Sequence, residues 1–327
     1  MTLREAIIKA QQLGVAIGHF NFAESTVFNA IVEAAKELNV PVILGTSEKE
    51  GGFLGEEFLR DVIARRSPTA TDETISQVSQ GETEKIATPS PFGGNQKGWA
   101  RNDGGGRKIF FNSDHTKSLE GVKKAVELGY DSIIFDGSDL PLEENIKRTK
   151  EIVEYIRTHE TQLPDHPKIL IEGEIGFIGS GSELRDKIPD GIQLTTPEEA
   201  VRFVQETGVD MLAPAVGNVH GIIKSGEPKL DIERIAQIHK MLREAQHDTP
   251  LVLHGASGNS DEDIRAAIKA GISVVHINTE IRAAWRNALA KFLGENQNEI
   301  APYKILAASE VAAKEVIKQK LKLFNGL

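Results

Sequence analysis

Three histidines stand where chemistry could be done: His115 in Ser-Asp-His-Thr, His220 in Gly-Asn-Val-His-Gly, and His254 in Leu-Val-Leu-His-Gly-Ala-Ser-Gly. Each follows a short apolar run that reads as a separate β-strand. Three neutral imidazoles delivered by three strand ends make an open divalent-metal site, because a catalytic ion has three protein ligands and keeps a position for water or substrate. One strand-end histidine alone reads equally well as a satisfied loop or core residue. The case rests on the set of three, each beside a glycine or an acid. The chain has no cysteine, so disulfides, thiolate ligands and a cysteine nucleophile are excluded, and zinc is the ion that suits the remaining donors.

Such a set needs elements that bring it together. Candidate strands run over 15–22, 41–46, 108–113, 132–136, 168–174, 210–215, 250–254 and 273–278, all short and mostly β-branched or apolar. Amphipathic helices are predicted between them, over 27–38, 119–128, 143–158, 197–207, 232–245 and 262–270, several with Ser, Thr or Asp near the start and Gly after the end. Strands alternating with helices imply an α/β protein with a parallel sheet, and eight repeats suggest closure into a (β/α)8 TIM barrel. An open doubly wound sheet shares the same alternation. The barrel reading expects one domain over residues 1–327.

A barrel carries its chemistry at the C-terminal ends of its strands, and the reactive side chains fall there. Asn21 follows the first strand, Ser47 the second, Asp114 and His115 the third, and Asp136 closes the fourth. Glu174 ends the fifth strand, His220 follows the sixth, His254 ends the seventh and Asn278 the eighth. The segment 67–107 breaks the alternation. It is polar, contains Gly104-Gly105-Gly106 and lacks the apolar face of a barrel helix, so it reads as an insertion rooted before the third strand, on the side opposite the site. A mobile excursion and a partner-binding loop or lid both fit it.

A second signal concerns anions. His220-Gly221-Ile222-Ile223-Lys224 and His254-Gly255-Ala256-Ser257-Gly258 put small residues beside the candidate ligands. Asn278-Thr279 opens the last barrel helix, where free amides and the positive dipole end favour a phosphate. Loops after the seventh and eighth strands are the usual phosphate site of this fold. Composition sets the wider limits. With 39% hydrophobic and 26% charged residues, a net charge of −10 and a pI near 5.5, the chain can bury a full core and lacks the basic stripe that nucleic acid or an anionic membrane would need. No apolar run approaches membrane-spanning length, so a cytoplasmic protein acting on a small anionic substrate is expected.

Longer motifs then come into view: Ser-Asp-His-Thr-Lys-Ser at 113–118, Phe-Asp-Gly-Ser-Asp-Leu-Pro-Leu-Glu-Glu-Asn at 135–145, Glu-Gly-Glu-Ile-Gly at 172–176, Gly-Asn-Val-His-Gly at 217–221, Glu-Pro-Lys-Leu-Asp at 227–231 and Leu-His-Gly-Ala-Ser-Gly at 253–258. In this order they resemble the class II, metal-dependent ketose-bisphosphate aldolases, the group that holds fructose- and tagatose-1,6-bisphosphate aldolases, over nearly the whole chain except 67–107. The resemblance implies cleavage of a ketose 1,6-bisphosphate between C3 and C4 into dihydroxyacetone phosphate and glyceraldehyde 3-phosphate. It assigns His115, His220 and His254 to one catalytic Zn2+ per subunit and allows a monovalent cation beside it. Asp114 corresponds to the acid/base on the C4 hydroxyl, although a residue that merely orients a neighbouring histidine would occupy the same place. Glu183, in Gly179-Ser180-Gly181-Ser182-Glu183, corresponds to the mobile-loop carboxylate that exchanges a proton with the three-carbon half, and Glu174 to the inner carboxylate beside the metal, with Asp136 as a further donor or orienting group. Asn21, Ser47, Gly221, Lys224, Gly255, Ser257, His276, Asn278 and Thr279 are the expected substrate and phosphate contacts. A homo-oligomer, dimer or tetramer, is also implied.

Two positions depart from the family pattern. His276 stands where members usually have Asn at the reacting end of the substrate; it could donate an equivalent hydrogen bond, bind a second metal or mark a changed reaction. Ala301-Pro302-Tyr303-Lys304 lacks the arginine that many members extend to a neighbouring subunit's substrate, and Lys304 supplies a point charge without the bidentate fork. A related phosphosugar aldolase or epimerase, and a catalytically silent barrel used for binding, are the other readings.

Overall fold

The structure is a computed structural model and describes residues 1–64, 108–160, 167–179, 181–224, 226 and 228–327. Helix α1 (Leu3–Leu13) leads into β1 (Ile17–Asn21), α2 (Ser25–Leu38), β2 (Val42–Ser47), α3 (Glu48–Leu54) and α4 (Glu56–Ala64). Then follow β3 (Ile109–Thr116), α5 (Leu119–Leu128), β4 (Ser132–Phe135), α6 (Leu142–Glu160), β5 (Leu170–Ile175), β6 (Leu184–Arg185), α7 (Pro197–Thr207), β7 (Met211–Pro214) and β8 (Ile222–Ile223). The chain ends with α8 (Ile232–Glu244), β9 (Leu251–Leu253), α9 (Asp261–Ala270), β10 (Ile272–His276), α10 (Thr279–Glu295) and α11 (Pro302–Asn325). Strands β1, β2, β3, β4, β5, β7, β9 and β10 close on themselves, every neighbouring pair parallel, with β1 paired to both β2 and β10. That closure decides against the open sheet. The eight expected strands and the six expected helices all form, α3 and α4 follow β2, and the short parallel pair β6–β8 departs from the strand–helix alternation.

Local chemistry explains where the helices start and stop. Thr196 caps α7, its hydroxyl accepting from Glu199 N while the Glu199 carboxylate returns to Thr196 N, and Pro197 fills the first helical position. Ser118 and Ser260 cap α5 and α9 through the hydroxyl alone, accepting from Gly121 N and Asp263 N. The strands are buried along their length, as a parallel sheet covered by helices requires, and Phe20, Phe22, Phe110, Phe111 and Phe203 are fully enclosed. Each stabilises the fold by about 1.5–3 kcal/mol over an exposed side chain.

The insertion 67–107 lies outside the described residues. Its flanks are the end of α4 at Ala64 and the start of β3 at Ile109, which is the N-terminal end of a barrel strand. Among the described residues no helix is long and apolar enough to cross a membrane.

Candidate metal centre and active site

Strand β3 delivers two adjacent side chains to one place, which a regular strand cannot do because neighbours alternate between faces. The register to β4 shifts between Ser113 and Thr116, and His115 adopts a left-handed φ of 48°. This bulge turns Asp114 and His115 toward the same mouth. The other two imidazoles depend on a close crossing of loops. Asn218 donates to the His254 carbonyl at 2.9 Å, and a Cβ on Gly255, itself at φ 56°, would lie 2.6 Å from the Val219 carbonyl oxygen. Only glycine lets the segments bearing His220 and His254 approach this far.

The three rings then meet. His115 lies 5.0 Å from His220 and 5.1 Å from His254 between ring centroids, and His220 lies 6.2 Å from His254. Glu174 completes the group: its Oε2 is 3.4 Å from His115 Nδ1 and 3.5 Å from His254 Nδ1. These are poorly aligned contacts, and both Glu174 Oε2 and His254 Nδ1 are buried with no hydrogen-bond partner among the described residues. Their outer partners are well placed. His254 Nε2 pairs with Glu172 at 2.7 Å, which leaves Nδ1 facing inward, and His115 Nδ1 pairs with Asp136 at 3.0 Å, which leaves Nε2. Carboxylates that hold the far nitrogen of an imidazole orient it for a metal, so an N,O donor set with two orphaned buried polar atoms fits a divalent cation.

The electrostatics point the same way. Burial opposes charge on His254, but Glu174 and Glu172 outweigh it and push the imidazole up to about 10. His115, equally opposed by burial, is raised by Asp114, Asp136 and Glu174. Burial and the nearby His115 push His220 down to about 4. Burial would raise Asp114, yet His115, His19 and His254 together with an Asn21 amide hydrogen bond hold it below the ordinary carboxylate value, so it is ionised. One Asp114 oxygen accepts from Asn21 Nδ2 at 2.8 Å, while Oδ1 is buried, unpartnered among the described residues, and 3.9 Å from both His115 Nε2 and His276 Nδ1.

A cleft of about 50 Å³ opens above these groups, lined by Asn21, Asp114, His115, Ser182, His220, Gly221, Gly255, Ser257, His276, Asn278 and Thr279, with Ile277 beside them. The N-terminus of α10 faces it with no side-chain cap and with Asn278 Oδ1 unpartnered among the described residues. Three expected contacts lie elsewhere. Lys224 Nζ pairs with Asp186 at 3.0 Å on the β6–β8 pair, Ser47 Oγ donates to Glu50 at 2.8 Å, and Glu183 is exposed with its carbonyl accepting from Ile222 N. Lys304 pairs with Glu299 at 3.0 Å. A larger cavity, about 370 Å³, lies at the other end of the barrel, where α1, α9 and α11 end. Arg265, Lys269 and His239 are among its lining residues, and Arg265 pairs with Asp261 and Glu262 of its own helix.

Several buried polar groups were missed. His19 stacks on His276 at 3.6 Å, and His276 in turn on His254 at 4.1 Å, forming a column of three imidazoles. His19 Nε2 pairs with Asn112 Oδ1 at 3.2 Å, and Asn112 donates to Ser132. Gly45 makes room for this: a Cβ there would sit 2.4 Å from the His19 ring. Burial and the neighbouring imidazoles hold His276 well below its usual value, so its ring is neutral.

Comparison with known proteins agrees with this geometry. The description Fructose-bisphosphate aldolase class-II matches residues 1–326. The chain belongs to the class II fructose-bisphosphate aldolase family. It is therefore a carbon–carbon lyase of a metal-dependent family. A Staphylococcus aureus (strain Mu50) fructose-bisphosphate aldolase is 32% identical over 99% of this chain and 97% of its own length. A Shouchella clausii 6-phospho-5-dehydro-2-deoxy-D-gluconate aldolase is also 32% identical, over 97% and 92%. Among solved structures, the YdjI aldolase from Escherichia coli K12 superposes with a TM-score of 0.71 at 28% identity, covering 98% of this chain and 96% of that one.

Proposed function

We propose that this aldolase cleaves and forms a ketose 1,6-bisphosphate, fructose or tagatose bisphosphate, using one zinc ion held by His115, His220 and His254. The observation that carries the reading is the meeting of these three imidazoles with the orphaned Glu174 Oε2, beside an ionised Asp114 and an uncapped helix N-terminus. When bound, the ion supplies Lewis-acid stabilisation of the negative charge that develops on the ketose oxygens. The α10 N-terminus with Ser257, Asn278 and Thr279 holds the C1 phosphate. Asp114 Oδ1 takes the C4 hydroxyl proton as the C3–C4 bond breaks, C4 leaves as an aldehyde and the electron pair stays on C3. Glu183 then returns a proton to C3 once its loop folds inward from the exposed position. His276, neutral, donates to the substrate in place of the family's amide.

A second reading has support of its own. His276 is stacked between His19 and His254, and a relative equally similar to this chain is named for a different phosphorylated substrate. A different phosphosugar is the alternative. Cleavage assays of zinc-loaded protein with both bisphosphates and with 6-phospho-5-dehydro-2-deoxy-D-gluconate separate the two: turnover of a ketose bisphosphate supports the first reading, and turnover confined to the third compound replaces it. We place the protein in the cytoplasm as a homodimer or tetramer, consistent with apolar Ile300, Tyr303 and Val311 exposed at and along α11, and sedimentation checks the assembly.

A further inference from the structure

Asp114 is held from one side by a line of side chains that runs from Asn21, at the cleft, back to Glu50 and Arg282. Asn21 Nδ2 carries two hydrogens. One goes to Asp114 Oδ2 at 2.8 Å and the other to Glu50 Oε2 at 2.9 Å, so one amide nitrogen bridges two buried carboxylates. Glu50 Oε2 also accepts from Ser47 N at 2.9 Å and Ser47 Oγ at 2.8 Å, while its other oxygen accepts from the guanidinium of Arg282.

A glutamate at the third position of α3 closes a capping box with Ser47, which by itself accounts for Glu50 as a helix-start residue. The box does not account for the rest. Asn21 comes from β1 and Arg282 from the first turns of α10, 232 residues away in sequence, and the three meet on a carboxylate that is 8% exposed. A buried negative charge is costly unless paired, and Arg282 supplies the pairing from the protein surface.

We propose that Glu50, neutralised by Arg282, is a positioning residue for Asp114: it fixes the Asn21 amide, which fixes Asp114 Oδ2 and leaves Oδ1 as the oxygen that faces the reacting hydroxyl. This rests on the reading of Asp114 as the proton carrier. Freed from Glu50, Asn21 can turn its amide away, and Asp114 then rotates out of line. A misplacement of about 1 Å at a reacting group costs up to about a hundredfold in turnover.

The test is a double-mutant cycle on the zinc-loaded full chain, with whichever compound the cleavage assays show to be turned over. Glu50→Ala is expected to lower kcat by about tenfold or more, with KM and zinc content close to wild type. Glu50→Gln keeps the capping box and an acceptor for Asn21 and is expected to recover most of that loss. In Asp114→Ala, where there is nothing left to position, adding Glu50→Ala is expected to cost nothing further. Arg282→Met, at a half-exposed side chain, removes the charge that pairs Glu50 and supplies the same comparison should Glu50→Ala fail to fold. Additive losses in the double variants, or wild-type kcat in Glu50→Ala or, where that variant does not fold, in Arg282→Met, would overturn the proposal. Wild-type kcat in Asp114→Ala would instead overturn the reading on which it rests.

Discussion

At the scale of single residues, the centre is a contest between protons and a metal for the same nitrogens. With no metal bound, His254 holds its proton because Glu174 and Glu172 outweigh burial and push it up to about 10, and His115 is raised in the same sense. His220, pushed down to about 4, has none to lose near neutrality. A metal bound as proposed must displace the raised protons, so its binding releases protons and its affinity rises with pH up to about 10. Calorimetric titration of metal-free protein in two buffers of different ionisation enthalpy checks this, and a proton-neutral binding event contradicts it. Asp114→Ala is expected to keep its zinc and lose about two orders of magnitude in turnover, read as kcat beside metal analysis. Zinc loss with unchanged turnover per metal would assign Asp114 to orienting a ligand instead. His276→Asn is expected to be tolerated, whereas His276→Ala lowers kcat more than thermal stability; equal kcat for wild type and alanine variant removes His276 from the chemistry. The three clustered histidines were legible because each follows an apolar run. His19, Asn112 and Glu172 were equally legible in principle, since each stands two residues before a recognised polar position and so shares its face. Glu50 left no such signal, because a capping-box glutamate looks purely local.

At the scale of elements, backbone geometry does what propensity cannot foretell. The strand pattern placed Asp114 and His115 just past β3, and instead the strand runs on to Thr116 through a bulge with His115 at positive φ. Alternation alone would have sent them to opposite faces. The β6–β8 pair, two residues on each side, is too short to read from periodicity, yet it carries Lys224 away to Asp186 and sets Glu183 at the rim. The glycine at the loop crossing gives a direct check. Gly255→Ala places a Cβ 2.6 Å from a backbone oxygen and is expected to lower zinc content as well as stability, since His220 and His254 must separate. Gly258→Ala meets nothing nearer than 3.6 Å and bears only the cost of positive φ, about 1–2 kcal/mol, with zinc retained. Metal analysis and thermal denaturation of the pair distinguish the two effects, and equal zinc content in both variants would contradict the crossing argument.

At the scale of the whole molecule, eight strand–helix repeats were enough to imply closure, because a parallel sheet of this length with helices after every strand buries its edges by joining them. Closure then gathers strand ends from Asn21 to Asn278 around one mouth. The described flanks of 67–107, the end of α4 and the start of β3, lie at the other end. Replacing it with a short Gly/Ser connection is therefore expected to preserve zinc content and turnover, and a folded but inactive replacement would show that it reaches the site or an assembly the site needs. The central claim is that a metal held by His115, His220 and His254 lets this barrel make and stabilise negative charge on C3 of dihydroxyacetone phosphate. Exchange of that carbon's hydrogen with deuterated water, followed by NMR without any aldehyde present, measures this step alone. Zinc-loaded protein is expected to exchange it and metal-free protein to do so slowly or not at all, with activity restored by zinc. Equal exchange by rigorously metal-free protein, or none by the zinc-loaded form, would contradict the account.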